Sequence, residues 1–264
     1  MRQHGLPAPV IDTGRPHSAR IYDYLLGGKD NYRVDERAGD ELVAAASQER
    51  AGARANRAFL ERAVRHVVAS GVRQIIDIGA GLPHHPNVHE VARATAPGVG
   101  VAYVDNDPIV IAHADALLSG SGRVGVALAD LRDPHGIVEH PRVRDVIDFD
   151  RPVALLLVSV LHFLSRADRP GQAVAALRDT LVAGSCLVLS HATDDFADCS
   201  AAQAVYATAT TPLTPRSRHE IAEFLDGFEL LEPGLVPVSS WRPDAPYAAR
   251  TPAGGYGAVA RKAG

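Results

Sequence analysis

Apolar residues recur at helical spacing in the first 70 residues of the chain. In three stretches the apolar side chains fall on one face of a 3.6-residue repeat, which predicts helices. These stretches are 18–26, 36–48 and 54–68. In the third, Leu60, Val64 and Val67 form the apolar stripe, and arginines dominate the opposite face. We therefore predict a helical cap over residues 1–70 that packs against the remainder of the chain.

The apolar pattern changes near residue 71. Short runs of Val, Ile and Leu now alternate with helical patterns, as in βαβ units around a parallel sheet. The predicted strands are 74–78, 101–105, 124–129, 153–159 and 186–191, followed by 228–231 and 256–260. Prolines and glycines bound the helices between them, and two further helices are predicted at 198–209 and 217–225. No internal repeat or linker is visible, so we predict a single domain, residues 1–264, in which residues 71–264 form the core.

Composition narrows the function classes. With 46% hydrophobic and 22% charged residues, the 264-residue chain is typical of a folded globular protein. The net charge of -4 and the scattered arginines argue against a nucleic-acid partner. The apolar run 153–164 is too short to span a bilayer, and residues 1–18 do not resemble a signal peptide. Two cysteines suit a reducing compartment, so we expect a cytoplasmic protein, while the oligomeric state stays open.

A glycine turn follows the first predicted strand. The run Ile75-Ile76-Asp77-Ile78-Gly79-Ala80-Gly81-Leu82-Pro83 leads from a strand through a turn into a helix. Glycines let the backbone approach a ligand closely, and a helix N-terminus favours polar or anionic groups. The turn alone is a weak signal, because His84 takes the place of the third glycine of the dinucleotide fingerprint. A purely structural turn is the alternative.

Two aspartates end the next two predicted strands. Asp105 lies 24 residues after Gly81, where a carboxylate can accept hydrogen bonds from both ribose hydroxyls of a nucleoside. Asp130 ends the third strand, where a carboxylate can accept from an adenine amine. Because parallel strand ends share one edge, these acids should converge with Asp77 and residues 159–162 on one crevice. Each aspartate alone could be a helix cap, but the set favours a cationic or hydroxyl-rich ligand over a pyrophosphate.

Four segments resemble the motifs of class I methyltransferases that use S-adenosylmethionine. They are Asp77-Ile78-Gly79-Ala80-Gly81, Tyr103-Val104-Asp105-Asn106-Asp107, Leu128-Ala129-Asp130-Leu131 and Val158-Ser159-Val160-Leu161-His162-Phe163-Leu164. Further segments are similar to a bacterial S-adenosyl methyltransferase family of unassigned substrate. They are 18–32, 54–60, 81–83 and 87–90. This second resemblance covers nearly the whole chain.

The resemblance implies an α/β fold of the Rossmann-like class I methyltransferase type. This fold has a central, mostly parallel seven-stranded sheet with an antiparallel last strand pair, helices on both faces and the N-terminal helical cap. The implied cofactor is S-adenosylmethionine, with S-adenosylhomocysteine as product, and the resemblance implies no known acceptor. The leading hypothesis is in-line methyl transfer to a small-molecule acceptor. The implied contacts are the methionine part against Asp77, Gly79 and Gly81, the ribose on Asp105, and the adenine near Asn106, Asp130 and Leu131, with Ser159 at the same edge.

Two histidines are candidates for a general base. His162 follows the fourth predicted strand, and in some O-methyltransferases that this chain resembles a histidine at the matching place deprotonates a hydroxyl. An imidazole titrates in the right range for that role. The alternative is a structural histidine, hydrogen-bonded to backbone behind the cofactor. His191, at the end of the fifth strand, is the second candidate.

The segment around the Gly27-Gly28 turn is expected to form a lid over the cofactor or the acceptor. A glycine turn followed by polar and aromatic groups makes a poor core element. The predicted lid or substrate residues are Tyr22, Tyr24, Gly28, Lys29, Asn31 and Tyr32. A capping role without ligand contact is the alternative.

His84, His85 and His89 invite a metal interpretation. Zinc proteases need His-Glu-x-x-His, however, and Arg93 stands at the place of the second histidine, so we expect no metal. Two other function classes stay open. One is a regulator that binds S-adenosylmethionine without transferring its methyl group, and the other is an NAD(P)-dependent oxidoreductase, favoured by the glycine turn and Asp105 but opposed by the missing third glycine.

Overall fold

A mixed sheet forms the centre of the structure, a computed structural model that describes residues 12–118, 120–244 and 255–264. Its strands are β1 (Gln74–Ile78), β2 (Gly100–Asp105), β3 (Val124–Leu128), β4 (Ala154–Val158), β5 (Cys186–His191), β6 (Glu229–Leu230), β7 (Val236–Pro237) and β8 (Tyr256–Arg261). They follow the order β3-β2-β1-β4-β5-β8-β6, and β7 also pairs with β8. The pairs among β1 to β5 are parallel, whereas β8 runs antiparallel to its neighbours.

This topology confirms the predicted α/β fold with a mostly parallel sheet and an antiparallel last strand pair. The two-residue strand β7 is an addition, because so short a pair leaves no readable alternation of apolar residues in the sequence. The strand order reverses at β1, which pairs with β2 on one side and with β4 on the other. Ligands of open α/β sheets bind at such a reversal, outside the carboxyl ends of the strands.

Ten helices are present in the described part of the chain. They are α1 (Ser18–Leu26), α2 (Arg33–Ala45), α3 (Glu49–Ala69), α4 (Val88–Thr95), α5 (Pro108–Leu118), α6 (Pro134–Glu139), α7 (Pro141–Arg144), α8 (Pro170–Thr180), α9 (Ser200–Tyr206) and α10 (Arg218–Glu223). α2 begins earlier than predicted because the Asp35 carboxylate accepts the Tyr32 N–H at 2.9 Å, which caps the helix. α3 also begins earlier, and α9 and α10 are shorter than predicted. No described helix is long and apolar enough to cross a membrane.

The two faces of the sheet bury separate cores. Side chains alternate along a strand, so the neighbours Ile75 and Ile76 point to opposite faces. Ile76 packs in a cluster with Leu155, whereas Ile75 belongs to the cluster of Phe59 and Trp241. The Phe59 and Trp241 rings meet edge to face, with centroids 5.7 Å apart. Through Phe59, α3 is anchored directly to the sheet.

A third cluster joins α1 and α2 to α9. Ile21 of α1, Leu42 of α2 and Tyr206 of α9 are buried together. The Arg20 Nε lies 3.0 Å from Asp35 Oδ2, and this buried ion pair ties α1 to α2. These helices therefore pack against the segment that follows β5. The division into a cap over residues 1–70 and a core over 71–264 stays a prediction.

Candidate active site

A cavity of about 270 Å³ lies at the carboxyl edge of the sheet, beside the strand reversal at β1. Its other walls come from α1, α3 and the segment after β5. The predicted cofactor residues and the candidate base line it, namely Asp77, Gly79, Gly81, Asp105, Asn106, Asp130, Leu131, Ser159 and His162. Its volume is near the lower end of the range for ligand pockets, about 300–1,000 Å³. The fold thus gathers all the predicted cofactor residues around one space.

The glycine turn after β1 needs glycine at two positions. Gly79 has a φ of +73°, and a Cβ there would lie 2.5 Å from a methyl carbon of Val160. Gly81 has a φ of +66°, which L side chains rarely adopt. A Cβ at Gly81 would meet only the Ala19 methyl, at 4.0 Å. The turn therefore presents bare backbone to the cavity, while Gly79 fits tightly against the loop after β4.

Asp105 is a buried acid at the end of β2. Its Oδ2 accepts the Gly81 N–H at 2.9 Å, and its Oδ1 accepts the Asp107 N–H at 2.9 Å. Burial raises the pKa of Asp105, and these two backbone hydrogen bonds act in the opposite direction. Each carboxylate oxygen has a second lone pair, so Asp105 can still accept hydroxyl hydrogens from a ligand. The carboxylate fixes the glycine turn and keeps capacity for a bound nucleoside.

Asp77 and Arg57 form the charged part of the cavity beside the glycine turn. Burial raises the pKa of Asp77 to about 7, and the nearby Arg57 opposes this shift. Arg57 Nη2 donates to the His84 carbonyl at 2.7 Å and also to the Pro86 carbonyl. The sequence interpretation did not include Arg57 among the site residues. The only signal for it was its position in the family-like segment 54–60.

Polar side chains surround Asp130 at the β2 and β3 end of the cavity. Asn106 Nδ2 donates to Asp130 Oδ2 at 3.1 Å. Arg132 Nη1 donates to the same oxygen at 3.0 Å, and its Nε lies 3.2 Å from Asp168 Oδ1. Leu131 is buried beside them. The predicted adenine contacts of these residues remain predictions.

A chain of buried and half-buried hydrogen bonds leads from the loop after β4 to α3 and α1. Ser159, with a φ of +56°, donates its N–H to Ser190 Oγ at 3.0 Å. Ser190 Oγ donates to Asn56 Oδ1 at 2.6 Å, and Asn56 Nδ2 donates to Tyr22 OH at 3.0 Å. Tyr22 OH in turn donates to the Ala53 carbonyl at 3.0 Å. The strand ends of β4 and β5 are therefore linked to α3 and α1.

His162 and His191 are both buried, and the basic nitrogen of each ring accepts a hydrogen bond. His162 Nδ1 accepts the Ala192 N–H at 3.1 Å, so the neutral ring carries its proton on Nε2. His191 Nδ1 donates to the Ala192 carbonyl at 2.7 Å, and its Nε2 accepts from Arg216 at 3.0 Å. Burial lowers the pKa of His162 well below its usual range and that of His191 to about 3. A general base at His162 stays a prediction, and this geometry favours the structural alternative.

Of the predicted lid residues, Tyr22 lines the cavity, and the other five are absent from its described lining. Asn31 Nδ2 donates to Asp23 Oδ2 at 2.8 Å, and the Asp30 N–H donates to the same oxygen at 3.1 Å. A Cβ at Gly28 would lie 1.9 Å from Asp23 Oδ1, which explains the glycine. Tyr24 OH donates to the Asp40 carboxylate at 2.5 Å, and the Tyr32 ring lies beneath the Arg20 guanidinium. The segment after α1 thus folds around the buried Asp23 and away from the cavity.

The three histidines near the glycine turn do not gather around one point. His85 Nδ1 lies 3.2 Å from Glu90 Oε2 at the surface, whereas His89 Nδ1 lies 2.9 Å from the buried Tyr103 hydroxyl. Within the described ranges, no group of three or more His, Cys, Asp or Glu side chains is placed to hold a metal ion.

The amino-acid sequence matches the model of a known protein family. A family model described as S-adenosyl methyltransferase matches residues 5–263. The chain belongs to the S-adenosyl methyltransferase family. The methyltransferase assignment confirms the resemblance seen in the sequence and S-adenosylmethionine as the cofactor, and it decides against the nicotinamide-dependent oxidoreductase. No curated protein matches the chain significantly.

Solved structures support the same assignment. A DUF574 family protein from Streptomyces avermitilis MA-4680 is 42% identical, with a TM-score of 0.91 over 96% of this chain and 100% of the other. A protein from Thermobifida fusca YX, named as a candidate methyltransferase, is 37% identical, with a TM-score of 0.90 over 98% of this chain and 99% of the other. The plantazolicin methyltransferase, solved with S-adenosylhomocysteine, is 10% identical, with a TM-score of 0.53 over 92% of this chain and 96% of the other. This similarity shows a shared fold only.

The residues of this methyltransferase fit its cofactor. Asp105 offers a buried carboxylate with unused acceptor capacity for hydroxyl groups. The glycine turn presents backbone with open space at Gly81, so a ligand can approach it closely. Arg57 supplies a positive charge for the carboxylate of a methionine group, and Asp77 supplies a carboxyl group that a bound ammonium would favour in its ionised form.

Proposed function

We propose that this methyltransferase methylates a small-molecule acceptor that binds beside the cofactor in the cavity. The observation that carries the proposal is the hydrogen bond from the Gly81 N–H to the Asp105 carboxylate. It joins the glycine turn and a buried acid at one point of the sheet edge, where a nucleoside ligand of an open α/β sheet binds. The cavity of about 270 Å³ must hold the cofactor as well, so the space left beside it suits only a small acceptor.

The cofactor contacts follow from this arrangement. Ribose hydroxyls would donate to Asp105, and the methionine part would lie against Asp77, Gly79 and Gly81. Arg57, which acts on Asp77, would neutralise the methionine carboxylate. The adenine would lie near Asn106, Asp130 and Leu131, where Asn106 and Asp130 already form a hydrogen bond at 3.1 Å.

The chemistry requires orientation more than acid–base catalysis. When bound, S-adenosylmethionine supplies a methyl group on a sulfonium whose leaving thioether is neutral. The chain holds the reactants in line and excludes water, and such positioning is worth up to about 7–11 kcal/mol in well-aligned systems. A base is needed only for an acceptor that enters protonated. The Ala192 N–H occupies the basic nitrogen of His162, so we do not assign this role to His162.

We further propose that the enzyme works in the cytoplasm. Cys186 and Cys199 are both free thiols, and neither is paired in a disulfide. Free cysteines are typical of a reducing compartment. The net charge of -4 disfavours binding to the nucleic-acid backbone, which supports a small-molecule partner.

Incubation with methyl-labelled S-adenosylmethionine and fractions of a small-molecule library tests the proposal. We expect label to move into a small-molecule fraction, and the Asp105→Asn variant to lose this transfer. Tight cofactor binding without transfer to any fraction would favour a regulator instead. Preferential binding of NAD over S-adenosylmethionine would contradict the cofactor assignment.

A further inference from the structure

One face of the first half of α3 lines the cavity. Glu49, Asn56 and Arg57 all contribute to the lining, because positions i, i+7 and i+8 share a helix face. At 1.5 Å per residue, Glu49 lies about 12 Å from Arg57 along the helix axis. Since Arg57 acts electrostatically on Asp77, Glu49 marks the end of the cavity away from the glycine turn.

The segment that follows β5 lines this far end. The chain that leaves β5 lines the cavity with Cys199 and Tyr206, and Glu49 acts electrostatically on both. β4 lies between β1 and β5, so at about 4.8 Å per strand pair the two strand ends are about 10 Å apart. We call this part of the cavity the acceptor chamber. Its residues are Tyr22, Glu49, Phe163, Cys199 and Tyr206.

Aromatic rings form much of the acceptor chamber. The Phe163 and Tyr206 ring centroids are 5.3 Å apart. The Tyr22 hydroxyl is already engaged by Asn56 and Ala53, which leaves the ring as its contribution to the wall. Burial raises the pKa of Tyr22 and of Tyr206, so both phenols are neutral at physiological pH. Neutral aromatic faces attract cations.

Glu49 is the carboxylate of the acceptor chamber. Its backbone N–H donates to the Ala46 carbonyl at 3.1 Å, but within the described ranges no donor forms a hydrogen bond or an ion pair with its carboxylate. Asp194 and Asp198, in the loop before α9, act on Cys199 with the same sign of charge as Glu49. A half-buried carboxylate without a donor, in a negative field, favours a ligand that brings positive charge and N–H donors.

We propose that the acceptor chamber binds a small aromatic or apolar amine as its ammonium ion, with Glu49 as the counter-ion. The proposal rests on the proposed function, because the chamber takes its role from the cofactor beside it. An ammonium ion gains from both the carboxylate and the ring faces, whereas a neutral alcohol gains only a hydrogen bond. A carboxylate or phosphate ligand would be repelled by Glu49.

Glu49 also provides the base that such an acceptor needs. An ammonium group has no lone pair, so it must lose a proton before its nitrogen can act as a nucleophile. The proton passes from R–NH₃⁺ to the Glu49 carboxylate, which leaves R–NH₂ and a neutral carboxylic acid. Burial raises the pKa of Glu49 and so favours this product. The carboxylate oxygens of Glu49 have free lone pairs, whereas the basic nitrogens of His162 and His191 already accept hydrogen bonds.

Calorimetry with the full chain saturated with S-adenosylhomocysteine tests the chamber. The probes are 2-phenylethylamine, 2-phenylethanol and phenylacetate, which share a ring and differ in the polar group. We expect the parent chain to bind the amine at least about tenfold more tightly than the alcohol, and not to bind phenylacetate. Glu49→Gln should reduce the preference to within about threefold, while Glu49→Asp, which keeps the charge, should retain it. Glu41→Gln, on the exposed face of α2, is the matched control.

Equal affinity of the parent for amine and alcohol would overturn the proposal, as would the absence of amine binding. An amine preference that persists in a folded Glu49→Gln would also overturn it. Thermal unfolding of each variant shows whether it is folded, and Glu49→Asp decides the question if Glu49→Gln is not. If the parent does not bind S-adenosylhomocysteine, the cofactor assignment fails, and titration of the same probes without it decides the chamber independently.

Discussion

The Ser190 hydroxyl donates a hydrogen bond to the Asn56 side-chain carbonyl at 2.6 Å, and this bond joins β5 to α3. Ser190 is buried at the end of a core strand, and Asn56 lines the cavity from the cap side. Asn56 continues the contact to Tyr22 of α1. The position of α3 and α1 beside the cavity is therefore set by a specific polar contact in addition to apolar packing.

A double-mutant cycle should detect this contact. Asn56→Ala and Ser190→Ala each leave a buried partner unsatisfied, so each should lower the free energy of unfolding by about 1–3 kcal/mol. The double variant should be less destabilised than the sum, with a coupling of about 0.5–1.5 kcal/mol. Denaturant unfolding of the four proteins measures it. Effects that add to within about 0.3 kcal/mol would show that the two side chains act independently.

Hydrogen exchange should separate α1 from the segment that follows it. The side chains of α1 reach the cavity at Tyr22, whereas residues 28–32 fold around Asp23. Saturation with S-adenosylhomocysteine should slow the exchange of amides 19–26 and leave amides 28–32 nearly unchanged. Greater protection of residues 28–32 than of α1 would instead support the lid that the sequence predicts.

His162→Ala should lower stability. The change removes the buried ring and the acceptor of the Ala192 N–H, and leaves a half-buried donor unpaired, at a cost of about 1–3 kcal/mol. His162→Gln can replace the acceptor and should recover part of the loss. Chemical denaturation of both variants measures this. Once an acceptor is found, normal stability combined with a single-turnover rate reduced at least 100-fold would identify His162 as the base instead.

The stability of Asp77→Asn should depend on pH in a defined way. The folded-state pKa of Asp77 is raised to about 7, whereas an unfolded aspartate titrates near 4. Between these values the folded chain holds a proton that the unfolded chain releases, so the parent loses stability as pH rises from about 4 to about 7. The variant avoids this loss, and its advantage should grow to at most about 4 kcal/mol and stay constant above pH 7.

Urea unfolding of cofactor-free parent and Asp77→Asn across pH 4–9 checks this prediction. The histidines titrate in both proteins, so their contribution cancels in the difference. Asp226→Asn, at an exposed position, is the control and should follow the parent at every pH. A difference between Asp77→Asn and the parent that does not change with pH would show that Asp77 is not buried as a raised-pKa acid.

The sequence predicts the sheet and its edge well for a physical reason. Buried parallel strands are continuous apolar runs, and Asp77, Asp105 and Asp130 interrupt them where the strands end. Parallel topology then brings the strand ends together, so the cofactor edge could be inferred without coordinates. The strand β7 has only two residues, so it carries no comparable pattern. The first turns of α3 carry none either, because small residues such as Gly52 and Ala53 contribute little apolar signal.

The roles of single side chains were less predictable. Whether His162 has a free lone pair depends on the Ala192 N–H, which comes from another strand end. Likewise, the glycine at position 28 is required by the buried Asp23 carboxylate, a contact that the sequence pattern does not show. Arg57 was missed because a charged residue on a helix usually faces solvent, and Glu49 was missed because it lies outside the predicted helix 54–68. Only the start and packing of α3 show that both residues line a cavity.

Calorimetric titration of the parent and of Asp105→Asn with S-adenosylhomocysteine tests the central claim most directly. We expect one binding site in the parent and an affinity about 10-fold to 150-fold weaker in the variant, because a charge-assisted contact worth about 1.5–3 kcal/mol is lost. Asp226→Asn should bind as the parent does, and thermal unfolding should show that Asp105→Asn is folded. Equal affinity of the parent and folded Asp105→Asn, or no binding by the parent, would contradict the account.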